Sequence, residues 1–254
     1  MKVYALTHIK GGVTKTTTTV NLSHALALLG YKVLVIDADP QSNSTFTLTG
    51  RMDEETTGTL YEALIPDRSK TIADLIKKTE QENLFVVEGS MWLYTGEREL
   101  AMKSNREHLL KKAMRGLKGF DYVFIDTSPS LGLMTLNAWV ASDGLIVPIT
   151  LTTYGMLGIR ILEYSLAKER RDLELDLPII GVIGTLDDHT KNSKDMLLSI
   201  RNHFQELVFD TVLPRNIKVE EANNQAISLF EYAPQSTGAK ADAALVKEIL
   251  ERVA

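Results

Sequence analysis

No cysteine occurs in the chain of 254 residues. That absence removes disulfides, thiolate metal sites, iron–sulfur clusters and cysteine nucleophiles together. It suits a reducing compartment. Long apolar runs are missing too. Nothing approaches the roughly 20 residues a bilayer-spanning helix needs. The opening MKVYALTHIK is interrupted too soon for a secretory signal, so the expected address is the cytoplasm. Nor is there an excess of positive charge: 28 Lys and Arg face 33 Asp and Glu, for a net charge of −5. This excludes a globally basic nucleic-acid binder and leaves a local basic face open. Internal repeats and low-complexity linkers are absent as well. What is present, 44% hydrophobic and 24% charged residues, is ordinary for a globular protein long enough to bury a core. One domain over residues 1–254 is expected.

Apolar runs of strand length alternate with longer segments of helical period. The strands are expected at VYALTH (3–8), KVLVID (32–37), NLFVVEG (83–89), YVFID (122–126), GLIVPI (144–149), PIIGVIG (178–184) and LVFDTVL (207–213). Near-continuous Val, Ile and Leu suit strands covered on both faces. A helix is expected from Thr16 to Leu29, with Gly30 as its cap. The fold class is α/β: a doubly wound, mostly parallel β-sheet flanked by helices. Ser42 to Lys78 is the least regular segment, and Gly238 to Ala254 reads as a closing helix.

The first strand runs into HIKGGVTKTTTT, residues 8–19. A Gly-rich turn followed by Lys-Thr and a helix is the context of a phosphate cradle. The usual Gly-x-x-x-x-Gly-Lys-Ser/Thr spacing is not met, because Ile9 and Thr14 stand at its two Gly positions. Gly11 and Gly12 would let backbone N–H groups approach phosphate oxygens. Lys15 would reach the β- and γ-phosphates, and Thr16 would offer a hydroxyl to Mg2+. The helix that begins here aims its positive end at the anion. Two further motifs close strands at the same edge. IDADPQSNST (36–45) supplies Asp37 and Asp39, and FIDTSPS (124–130) supplies Asp126. Ligands bind open α/β sheets at that edge. Asp126 follows four apolar residues, as a carboxylate that holds Mg2+ through water does.

KGGVTKTT, DADPQSN, FIDTSPS and LPRNIKVEEA with FEYAPQSTGAKA together resemble the ParA branch of the ParA/MinD family of deviant Walker-A P-loop ATPases. The likeness runs from Lys2 to Ala254. It implies an ATP and Mg2+ site made by Lys10, Gly11, Gly12, Val13, Thr14, Lys15, Thr16 and Thr17, with Pro214 and Asn216 toward the adenine. It implies a homodimer with ATP between the subunits, in which Lys10 reaches the other subunit's phosphates. Lys10, Lys15 and Asp39 would be catalytic, Asp39 positioning the attacking water. Thr16 and Asp126 would serve the metal, and Asp37 would lie near it or simply close a strand-end hydrogen bond. Thr14 departs from the family, where Gly is usual. A β-branched residue there matters only if the loop needs a positive φ.

The small ParA proteins without an N-terminal helix-turn-helix fit best. The resemblance then implies non-specific binding to nucleoid DNA, and a ParB-like or cargo-adaptor protein that stimulates slow hydrolysis. The cargo would be a plasmid, a chromosome or a protein organelle such as the carboxysome. Arg215 and Lys218, with Lys191, Lys194 and Arg201, are the DNA-contact candidates, each also readable as a solvated surface charge. The tail AALVKEILERVA is mixed in charge, so no membrane association is expected. A MinD-like membrane ATPase and a metabolic P-loop ligase or transferase are the alternatives.

Overall fold

The computed structural model describes residues 1–51, 58–65 and 70–253. Parts of the irregular segment (52–57 and 66–69) and Ala254 of the closing helix lie outside the described residues. The strands are β1 (Lys2–Leu6), β2 (Val33–Asp37), β3 (Lys77–Lys78), β4 (Leu84–Val87), β5 (Tyr122–Asp126), β6 (Gly144–Thr150) and β7 (Ile179–Thr185). They form one sheet in the order β3-β4-β2-β5-β1-β6-β7. Every pairing is parallel except β3 with β4.

The helices are α1 (Lys15–Leu28), α2 (Asn43–Thr49), α3 (Leu60–Leu64), α4 (Trp92–Leu100), α5 (Leu109–Ala113), α6 (Leu133–Ala141), α7 (Thr153–Asp172), α8 (Lys191–Phe204), α9 (Ile217–Asn224), α10 (Leu229–Tyr232) and α11 (Thr237–Val253). Alternate strand residues feed two cores. Val3, Ala5, Leu34, Ile36, Val123 and Ile125 pack on the side of α3 to α8. Tyr4, Leu6, Val33, Val35 and Phe124 pack on the side of α1 and α11. With both faces covered, each strand is apolar along its length rather than alternating. Helix α1 is enclosed between the sheet and α11, and every residue from Thr18 to Ala27 is buried.

Two expectations need correction. The run 207–213 is not a strand of the sheet. Val208 makes one bridge to Val182, and the Phe209 and Leu213 amides donate to Val182 and Gly184. Between them, the amides of Asp210 and Thr211 both donate at 2.8 Å to the Glu248 carboxylate on α11. A side chain has taken the donors that a ladder would have used, so the segment only covers the edge of β7. Strand β3 was not expected, because Lys-Lys carries no apolar alternation. It is held by a Lys77–Glu88 ion pair at 2.5 Å.

Candidate functional site

The register of β1, β5 and β2 builds the site's floor. Leu6 lies opposite Asp126, and Asp126 opposite Asp37. The chain leaves β1, turns through residues 7–14 and enters α1 beside those two carboxylates. Gly12 has φ 71° and Thr14 φ 69°. The loop therefore does use the left-handed conformation at Thr14. That conformation is strained for a residue branched at Cβ, and is one glycine adopts freely. Thr14 still starts the helix: its carbonyl accepts from the Thr18 amide at 2.8 Å.

Lys15 is buried, with Nζ 3.4 Å from the Lys10 carbonyl. Burial pushes its pKa down, while the charges of Asp126 and Asp39 oppose that shift. Asp126 is fully buried and accepts from Ser44 Oγ at 2.6 Å and from Thr19 Oγ1 at 3.5 Å, with the Thr16 hydroxyl near enough to favour its charged form. Asp37 takes both the amide and the hydroxyl of Thr45 at 2.7 Å. Burial raises the pKa of Asp37, Asp39 and Asp126 alike, and the Asp126 charge adds to the effect on Asp37. Asp39 accepts from the Gln41 amide through Oδ1 at 2.9 Å. Its second oxygen is left for the cavity that Asp39 lines with residues Gly11 to Thr17.

Several contributors are not legible as site residues. Ser44 and Thr45 lie within QSNST and hold Asp126 and Asp37. Gly89, at the end of β4, donates its amide to Thr45 Oγ1 at 2.8 Å. A Cβ there would lie 2.9 Å from the Asp37 carboxyl carbon. His8 is buried, and its Nδ1 accepts from the Lys10 amide at 3.0 Å. Burial, reinforced by the Lys15 charge, lowers the His8 pKa to about 4, so the ring is a neutral acceptor that shapes the turn. Lys10 itself sits 5.6 Å from the ring centroid of exposed Tyr154 at the start of α7. Of these, only Ser44 and Thr45 left a signal: hydroxyls seven and eight residues beyond the strand-end Asp37.

Two cavities meet at Gly12, Thr14, Thr17 and Asn223. One, of about 390 Å³, contains the loop, Asp39 and Pro129. The other, of about 260 Å³, runs between α1, α9 and α11 and includes Pro214, Arg215 and Asn216. The expected phosphate-side and base-side residues thus line adjoining spaces. Asn216 is also the cap of α9, accepting from the Lys218 amide at 2.9 Å.

The five basic candidates do not form one cluster. Lys191 and Lys194 open α8, while the Arg215 amide donates to the Asp187 carbonyl just ahead of that helix. Lys218 is near Arg215 in sequence but is paired with Glu221 at 2.7 Å. Arg201 lies ten residues beyond Lys191, about 15 Å along the helix axis, with Asp210 at 3.5 Å.

The comparisons with known proteins agree with this frame. Residues 1–179 match the family model described as an AAA domain. The chain is 38% identical over 250 residues to the sporulation initiation inhibitor protein Soj of Bacillus subtilis (strain 168), covering 98% of each chain. It is 35% identical over 253 residues to the chromosome partitioning protein ParA of Myxococcus xanthus (strain DK1622), covering 99% of this chain and 88% of that one. The chain belongs to the ParA-type ATPases. Among solved structures, the ATP complex of Cyanothece McdA(D38A) has the same fold, with a TM-score of 0.84 at 29% identity over 99% of this chain and 96% of that one. The ParA-type frame accounts for the phosphate loop after β1 and for the Asp-bearing ends of β2 and β5. No helix among the described residues is long and apolar enough to cross a membrane.

Proposed function

We propose that this ParA-type protein is a Mg2+-dependent ATPase. It would dimerise on ATP, bind non-specific DNA in that state, and position a cargo whose adaptor stimulates hydrolysis. The observation that carries this reading is the convergence of a Gly11–Gly12 turn, Lys15, Thr16, Asp39 and Asp126 on one edge of the sheet. That donor set fits magnesium triphosphate. A hydroxyl, a buried carboxylate and an ammonium are the groups that phosphoryl transfer uses, and the loop leaves room for phosphate oxygens at Gly12. Thr16, and Asp126 through water, would hold Mg2+, which when bound neutralises charge on the phosphates. Lys15 orients the β- and γ-phosphates. Asp39, its pKa raised by burial, accepts a hydrogen bond from the attacking water and fixes its direction. Asp37 is saturated by Thr45 and the Asp39 amide, so it positions the Asp39 loop rather than touching substrate. Lys10 would complete the charge balance in the dimer.

DNA binding rests on cations meeting phosphates, so it would weaken steeply with salt. The test is retention of generic duplex DNA with ATP–Mg2+, ADP–Mg2+ or no nucleotide, at two salt concentrations. Retention with ATP alone, reduced by salt, is expected. Absence of retention in every state, with ATP binding confirmed by calorimetry, overturns the DNA reading and leaves the ATPase reading standing. Cytoplasmic, nucleoid-associated location is the corresponding expectation in cells.

A further inference from the structure

The base-side cavity ends on a carboxyl group that the reading above leaves unused. Asp242, on the first turns of α11, is 3% exposed and lines the cavity of about 260 Å³ together with Thr17, Asn21 and Pro214. Its hydrogen bond comes from the side chain of Asn21, Nδ2 to Oδ2 at 2.8 Å. The amide of Asn21 cannot be turned round. Its Oδ1 accepts from the Leu229 backbone amide at 3.2 Å, so its NH2 must face Asp242. The other carboxyl oxygen, Oδ1, has no donor among the described residues, and no cation is paired with the group there. A buried carboxyl accommodates about four donors, and one left short of them is costly. Burial raises its pKa to about 7, as expected for an acceptor short of donors.

Apart from the exposed Arg215 and Glu220, the rest of the cavity is committed or apolar. Leu186, Leu213, Pro214 and Val219 give it hydrocarbon walls. Asn216 donates to Thr237 Oγ1 at 3.1 Å and accepts from the Lys218 amide at 2.9 Å. A flat heteroaromatic ring fits such walls, and Asp242 Oδ1 is the acceptor such a ring would meet.

We propose that Asp242, oriented by Asn21, is the base-reading residue of this ATPase and accepts a hydrogen bond from the exocyclic 6-amino group of adenine. This rests on the reading of the adjoining loop as a triphosphate site. A purine without a 6-substituent offers no donor at that position, and a 6-oxopurine turns an acceptor toward an acceptor. A site that must satisfy a buried polar group discriminates strongly against analogues that cannot do so.

The test is calorimetric affinity, with Mg2+, for ATP, purine riboside triphosphate and inosine triphosphate. It uses the full chain and the Asp242→Leu, Asp242→Asn and Lys15→Ala variants, each checked for folding by circular dichroism. The unaltered chain should prefer ATP to purine riboside triphosphate by roughly 10- to 100-fold, the worth of one hydrogen bond to a charged group. Asp242→Leu should bring the two together. In Asp242→Asn the carbonyl oxygen stays with Asn21 and the new NH2 faces the cavity, so preference should move toward inosine triphosphate. A destabilised fold weakens all three nucleotides equally and cannot produce that reversal. Equal affinities in the unaltered chain, or an ATP preference unchanged in Asp242→Leu and Asp242→Asn, overturn the proposal. If Lys15→Ala leaves every affinity untouched, the triphosphate reading falls and takes this one with it. If Lys15→Ala abolishes binding while the base preference ignores Asp242, only the base-reading role falls.

Discussion

Thr14 is the residue where sequence and backbone are in conflict. Its φ of 69° strains a β-branched side chain by about 1–3 kcal/mol. Part of that is offset in a glycine variant by the greater freedom of the unfolded chain. Thr14→Gly should therefore raise the unfolding free energy by roughly 1 kcal/mol, read by denaturant titration. An unchanged or lower value would mean that Thr14 is relaxed where it stands. Asp242 carries a second prediction. Its pKa of about 7 in the fold lies above the value near 4 of a free carboxylate. Between about pH 4 and 7 folding takes up a proton at this group, so its contribution to stability falls as pH rises through that window. The Asp242→Asn variant should gain on the unaltered chain from about pH 4 to 7 and then stay level. A difference that does not change with pH would show the carboxyl to be unshifted. The identity of the loop was legible here from GG, K and T in order. The cost at Thr14 was not, because φ is set by the turn that β1 and α1 close.

At the scale of elements, β7 and the segment after α8 show how a strand-like run is diverted. Val, Phe and Leu at 208, 209 and 213 satisfy the strand pattern, yet Glu248, some 40 residues later, takes the backbone donors. What anchors the run is packing. Phe209 is 2% exposed, with Arg252 over its ring at 4.1 Å from the centroid. A Cβ on Gly181 of β7 would run into the Phe209 ring. Gly181→Ala should cost about 1–3 kcal/mol through overpacking, measured by thermal unfolding. Adding Phe209→Leu should recover part of that loss, as coupled neighbours do. Strictly additive losses would show that the two do not meet. The strands of the sheet were readable in advance because burial on both faces demands aliphatic runs. This edge was not, because its hydrogen bonds depend on a carboxylate brought back by α11.

For the whole molecule, the placement of charge decides where DNA would lie. Lys191, Lys194 and Arg215 gather at the edge of the sheet that also carries the phosphate loop, whereas Arg201 is at the far end of α8. Reversing both lysines, Lys191→Glu with Lys194→Glu, should abolish ATP-dependent DNA retention, while Arg201→Glu should leave it largely intact. In a salt titration the lysine pair should account for about two units of the slope of log affinity against log salt. Equal losses from both changes would place the interface elsewhere. The net charge of −5 hides this asymmetry, since a sum over the chain carries no position.

The sequence by itself determined the layers of the fold and the phosphate loop. Both depend on neighbours along the chain: aliphatic runs of strand length, and a Gly-Gly turn joining β1 to a Lys-Thr helix start. Only the tertiary structure decided the rest. Asp37 and Asp126 became a pair because parallel register sets residues 89 positions apart side by side. Asp242 became a buried acceptor lining the cavity between α1, α9 and α11 because α11 packs on α1. Burial and register are properties of distant segments meeting, and a local pattern cannot carry them.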